Sequence, residues 1–134
     1  MWVFLNDAFL SIVASDVEPS QFAVRARQSQ DLLNAFPDCQ PIKGKPAQDY
    51  AWRAFVDRDE VEALLVTRLR DLEYTNFKGS IDESTPAGVE RHDAYMAVWN
   101  VMLRFQNGGF RPLRRKDRQA LKRKPWDDRG WRPD

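Results

Sequence analysis

The sequence predicts an α+β fold, a mostly antiparallel sheet of about four strands with helices packed on one face. Three observations carry this. Two apolar stretches open the chain, with Asn6-Asp7 between them. Residues 21–27 and 50–56 alternate with the period of a half-buried strand. Residues 58–73 and 89–106 instead place apolar side chains three and four apart, the period of an amphipathic helix. The predicted order is β-β-β-α-β-α-α, then a basic C-terminal arm. Residues 1–106 form a single domain and residues 107–134 the arm.

Trp2–Leu5 and Ala8–Ala14 read as a β-hairpin. Asn6 and Asp7 tolerate the left-handed backbone of a tight turn and are turn residues on that ground. Asp16–Ser20, with Pro19, is a second turn. In Gln21–Arg27, Phe22, Val24 and Ala26 point one way while Arg25 and Arg27 point the other. Ser29 is placed to cap a short helix carrying Leu32, Leu33 and Phe36, which Pro37 ends. Asp38–Gln48 holds two prolines and a glycine and reads as a surface loop. Tyr50–Val56 is a strand with Trp52, Ala54 and Val56 on one face and Arg53 and Phe55 on the other.

Asp57 and Glu60 form a D-x-x-E variant of the capping box. The helix that follows, about 58–73, puts Val61, Leu64, Leu65, Leu69 and Leu72 along one stripe. Tyr74–Gly88 is polar and irregular. From Val89 a helix resumes, with Val89, His92, Met96, Trp99 and Leu103 in register and Tyr95 and Met102 flanking, until Asn107-Gly108-Gly109 stops it. Arg111–Lys124 carries a thin apolar stripe, Leu113, Ala120 and Leu121, compatible with one more short helix.

At 134 residues the chain can bury enough surface to fold without a metal or a disulfide. Its single cysteine, Cys39, excludes an intrachain disulfide and any multi-Cys zinc site, and a lone thiol fits a reducing, cytoplasmic setting. The apolar N-terminus lacks a basic leader and is interrupted by Asp7, so it reads as folded strand. No apolar run approaches the ~20 residues of a membrane span.

The net charge of +1 conceals two halves. Residues 1–110 hold 11 basic and 16 acidic side chains, a net −5, and residues 111–134 hold 10 and 4, a net +6. The cations Arg111, Arg114, Arg115, Lys116, Arg118, Lys122, Arg123 and Lys124 face only Asp117 within their segment. Such a run repels itself unless a polyanion or an acidic surface is near. Trp126 and Trp131 beyond it supply stacking surfaces of the kind single-stranded nucleic acid uses. Intramolecular docking of the arm on the acidic body is the plainer alternative.

WVFLNDAFLSIV, YTNFKGSI and RHDAYMAVWNVM together resemble a group of small uncharacterised bacterial and phage proteins. The resemblance covers roughly residues 1–106 and implies a bacterial or phage origin. It implies no activity and no site residue.

No Walker loop, GxGxxG, HExxH, GxSxG or CxxC occurs, and no metal or cofactor is expected. Four groups remain as candidates. Arg25, Arg27 and Arg53 share a surface if their strands are neighbours, and three guanidiniums there can read phosphates or a carboxylate patch. Unless they do, they decorate a solvated face. His92 is the one side chain with an ordinary pKa near neutrality. With Lys78 and Tyr74 it gives an alternative reading, an enzyme acting on a phosphorylated or acidic small molecule. Each of the three also fits a structural role. Cys39 follows Asp38, whose carboxylate raises a thiol pKa and argues against a nucleophile.

Missing motifs weigh against catalysis. The sequence favours a small binding or regulatory protein that contacts nucleic acid or an acidic protein, a role suited to a phage or mobile-element inhibitor of a host nucleic-acid machine. A further alternative is homo-oligomerisation, the arm of one chain on the acidic body of the next.

Overall fold

A computed structural model describes residues 1–109. The chain divides into two compact units, 1–75 and 76 onward, a division inside the 1–106 domain expected above.

The first unit contains β1 (Trp2–Phe4), β2 (Phe9–Ala14), β3 (Gln21–Ala26), α1 (Ser29–Ala35), β4 (Ile42–Lys43), β5 (Trp52–Asp57) and α2 (Arg58–Arg70). The strands form one open sheet in the order β1-β2-β3-β5-β4, every pairing antiparallel. The fold is therefore α+β as expected, with five strands where about four were predicted. The additional strand, β4, lies in the segment expected to be a surface loop. It is two residues long, between Pro41 and Gly44, so no alternation can reveal it; pairing with Arg53 and Trp52 of β5 makes it a strand.

The β1–β2 turn closes with Leu5 N donating to the Ala8 carbonyl at 2.8 Å. Neither Asn6 nor Asp7 adopts the left-handed backbone expected of them; among described non-glycine residues only Ala47 does. The turn is held from outside instead. The Asp7 carbonyl accepts from Asn34 Nδ2 at 2.8 Å, and its carboxylate accepts from Arg68 Nη2 at 2.9 Å. Buried Asp31 accepts from Phe9 N at 3.0 Å. Both helices thus grip the first hairpin.

Alternation sorts the side chains to two faces. Leu10, Ile12, Val24, Ala26, Ala54 and Val56 lie on one, beneath Leu32, Ala35 and Phe36 at α1 and Val61 of α2. Full burial of residues such as Leu10, Leu32 and Phe36 is worth roughly 1.5–3 kcal/mol each. In α2 the stripe is covered only at its start: Val61 is buried and Leu64 packs on the core, while Leu69 and Leu72 are exposed.

Two expected caps are not made. Gln28, not Ser29, is the N-cap of α1, without a side-chain bond. Asp57 does precede α2, but its carboxylate accepts from Gln21 Nε2 across the sheet at 3.1 Å, so no capping box forms.

Among its described residues the second unit has one 3-10 turn, Lys78–Ser80, and α3 (Pro86–Gln106). The helix starts three residues before Val89. Thr85 is the N-cap, accepting from Gly88 N at 3.1 Å, and Pro86 occupies the first turn, where its missing N–H costs nothing. At Gly88 a Cβ would fall 1.7 Å from the Asp82 carbonyl oxygen, so only glycine admits this close turn. The buried residue of α3 is Tyr95, stacked on Phe77 at 5.8 Å, whereas Val89 and Trp99 of the expected apolar stripe are exposed. His92, Met96 and Leu103 of that stripe are half-buried. The helix stops where predicted, with Gly108 at φ 68° and Gly109 N donating to the Arg104 carbonyl at 2.9 Å.

Candidate functional site

The face of the sheet opposite α1 and α2 carries the arginines. Because β3 and β5 are neighbours, Arg25 and Arg53 stand directly opposite each other. Pairing through all five strands sets one row, Trp2–Ser11–Arg25–Arg53–Ile42. Like charges directly across a sheet are destabilising unless something offsets them.

The partners of these guanidiniums differ. Arg27 is neutralised: its Nη1 lies 3.0 Å from the Asp49 carboxylate and also donates to the Asp49 carbonyl. Arg25 donates to the Ser11 hydroxyl at 2.7 Å, and Arg53 donates to the Gln48 amide oxygen at 2.5 Å. Both acceptors are neutral. Among the described residues neither arginine makes an ion pair, and the buried Nε of each has no hydrogen-bond partner. Burial first, then the positive charge of Arg25, pulls the Arg53 pKa down; the Asp16 carboxylate opposes this only in part. Arg53 remains a cation at neutral pH.

The geometry is fixed by the segment between β4 and β5. Tyr50 is buried, and the guanidiniums of Arg25 and Arg27 lie 4.7 and 4.3 Å from its ring centroid, at cation–π distance. Gln48 Oε1 accepts from Lys45 N at 3.0 Å as well as from Arg53. The chain passes so close at Gly44 that a Cβ would meet Gln48 Oε1 at 2.5 Å and the Tyr50 carbonyl at 2.9 Å. The two guanidiniums are therefore held in place by Ser11, Gln48 and Tyr50 (three uncharged groups).

Beside the pair lie three aromatic rings that sequence reasoning did not single out. Phe4 and Phe9 are 4.7 Å apart, and Trp2 meets Phe9 edge-on at 5.8 Å. Trp2 is 65 % exposed. Their signal was present: the alternation that points Arg25 outward points Trp2, Phe4 and Phe9 outward too, once the strand pairing is known.

The other candidates are placed differently. Lys78 Nζ sits 4.6 Å over the Trp99 ring, two helical turns along α3 from His92. His92 faces Glu83 at 3.9 Å and Asp93 at 3.8 Å. Tyr74 belongs to the first unit and is exposed. Within the second unit, Lys78 and His92 thus face different partners. Cys39 lines a cleft of about 310 Å³ with Asp38, Ile42, Phe55 and Glu60. Burial, then the Glu60 carboxylate rather than the sequence-adjacent Asp38, raises its thiol pKa. Asn6 and Asp7 serve the turn, Asp7 through Arg68.

Among the described residues no group of three or more His, Cys, Asp or Glu could hold a metal ion, and no helix is long and apolar enough to cross a membrane. Arg111, Arg114, Arg115, Lys116, Arg118, Lys122, Arg123, Lys124, Trp126 and Trp131 lie outside the described residues. No family model, curated protein or solved structure matches this chain.

Proposed function

We propose that this protein is a binding module for nucleic acid, and that the sheet face opposite α1 and α2 takes the phosphates. The observation that carries the reading is the directly opposed Arg25–Arg53 pair, oriented by neutral acceptors and, among the described residues, in no ion pair with a carboxylate. A planar guanidinium with unused donors is suited to a phosphate oxygen, and an anion between the two forks removes their mutual repulsion. The basic run Arg111–Lys124 adds sequence-independent attraction for the same ligand. Such a module suits a small regulator of nucleic-acid machinery.

The test is anisotropy with a fluorescein-labelled 12-nucleotide DNA strand across a NaCl series. Affinity should fall steeply with salt. Replacing both arginines (R25M/R53M) should weaken binding and flatten the log–log salt slope by about 1.4, two single-strand phosphate contacts. R114Q/R115Q/K116Q should flatten it independently. An unchanged affinity in R25M/R53M refutes the sheet-face reading. Preference for a poly-glutamate probe over DNA would instead make the partner an acidic protein.

A further inference from the structure

We infer that the nucleic acid is bound single-stranded, with a base stacked on Trp2 while Arg25 and Arg53 hold the adjoining phosphates. This rests on the reading above and adds a second site, the aromatic strip of β1 and β2.

Trp2 and Arg25 are both direct neighbours of Ser11 in the cross-strand row. Two strand spacings, about 10 Å, therefore separate the backbone positions of the indole and the first guanidinium. Phe9 braces Trp2 edge-on and Phe4 braces Phe9, so the indole has a fixed apolar backing on one side. The rest of Trp2 is open to solvent, an unusual place for the largest apolar side chain. An exposed, braced ring beside uncompensated arginines is the combination that binds unpaired bases: the ring offers a π-face, and the cations track the backbone.

A duplex cannot use both parts, because its bases are already stacked and its edges offer no ring face. An acidic protein would use the arginines but gain little from a bare indole. Stacking is also tolerant of base identity, since every base has a π-face, so weak sequence preference follows.

The experiment measures the full-length protein and its W2A, W2F and R25M/R53M variants against three probes: a labelled (dT)12 strand, the dT12·dA12 duplex, and inorganic polyphosphate. Wild type should bind (dT)12 more tightly than the duplex. W2A should lose roughly tenfold or more on (dT)12 and change less than twofold on polyphosphate, and W2F should recover most of the loss. Trp2 is too exposed to be needed for folding, and circular dichroism of W2A checks this. Duplex binding at least as tight as single-strand binding overturns the inference. So does a W2A variant that binds (dT)12 like wild type, or that loses equally on polyphosphate. R25M/R53M separates the two readings. If it binds every probe like wild type, the phosphate site is wrong whatever Trp2 does; if it loses on all probes while W2A loses on none, only the stacking site is wrong.

Discussion

One residue apart along the same strands, the sheet presents two different chemistries. On the helix-covered face Leu10, Ile12, Val24, Ala26, Ala54 and Val56 are at most 4 % exposed. On the other face their immediate neighbours Ser11, Arg25 and Arg53 form a polar row that ends at an exposed indole. The first face has the composition of a core, in which every position answers to its neighbours' volume. The second keeps opposed like charges that a sheet selected for stability alone would replace. The covered face holds the fold together, and the opposite face sets two like charges directly across from each other.

The contrast is sharpest in mutational energetics. Leu32→Ala on the covered side should cost about 2–5 kcal/mol in urea unfolding, the range for an aliphatic truncation that leaves a cavity. A smaller value would mean the α1 contact is loosely packed. Asp31→Ala comes next, at about 1–3 kcal/mol, because it strands the Phe9 N–H at a buried junction. On the opposite face the sign should change. Arg53→Met, similar in length and without charge, should leave stability unchanged or raise it slightly while weakening nucleic-acid binding. A loss comparable to that of Leu32→Ala would show that Arg53 is a structural pin through Gln48, and the contrast between the faces would collapse.

The smallest effect is a rate. Cys39 sits at the sheet edge with its thiol pKa raised by burial and by Glu60. Less thiolate is then present at neutral pH, so iodoacetamide should alkylate it more slowly than free cysteine, with the rate climbing as pH rises. Glu60→Gln removes one of the two causes, lowers the pKa and should speed the reaction at fixed pH. An unchanged rate would place the cause in burial alone.

The sequence made the two faces legible because period-two alternation is a local property. Residues 21–26 and 52–57 sort into apolar and arginine-bearing sides without any knowledge of their partners. Whether Arg25 meets Arg53 is a question of strand pairing, and one sequence carries no register. β4 was illegible for a related reason: two residues between Pro41 and Gly44 have no pattern of their own. Asp57 misled because a carboxylate before a helix has two possible uses, and here Gln21 claims it. The start of α3 was readable but unread, since Thr85-Pro86 is a cap followed by a first-turn proline. The stripe on α3 was legible only in part, because periodicity identifies an apolar side and not what covers it: His92, Met96 and Leu103 are half-buried, while Phe77 stacks on the flanking Tyr95.

The brevity of β4 has a consequence for how the protein behaves in concentrated solution. A border strand is where a foreign chain adds on, main chain to main chain, and where fibrils begin. At β4 that border offers only Ile42 and the ammonium-bearing Lys43, with Pro41 before them and Pro46 shortly after. A stray strand arriving at β4 finds little to zip onto, because a two-residue strand flanked by prolines and carrying a lysine is a poor template for edge-to-edge pairing.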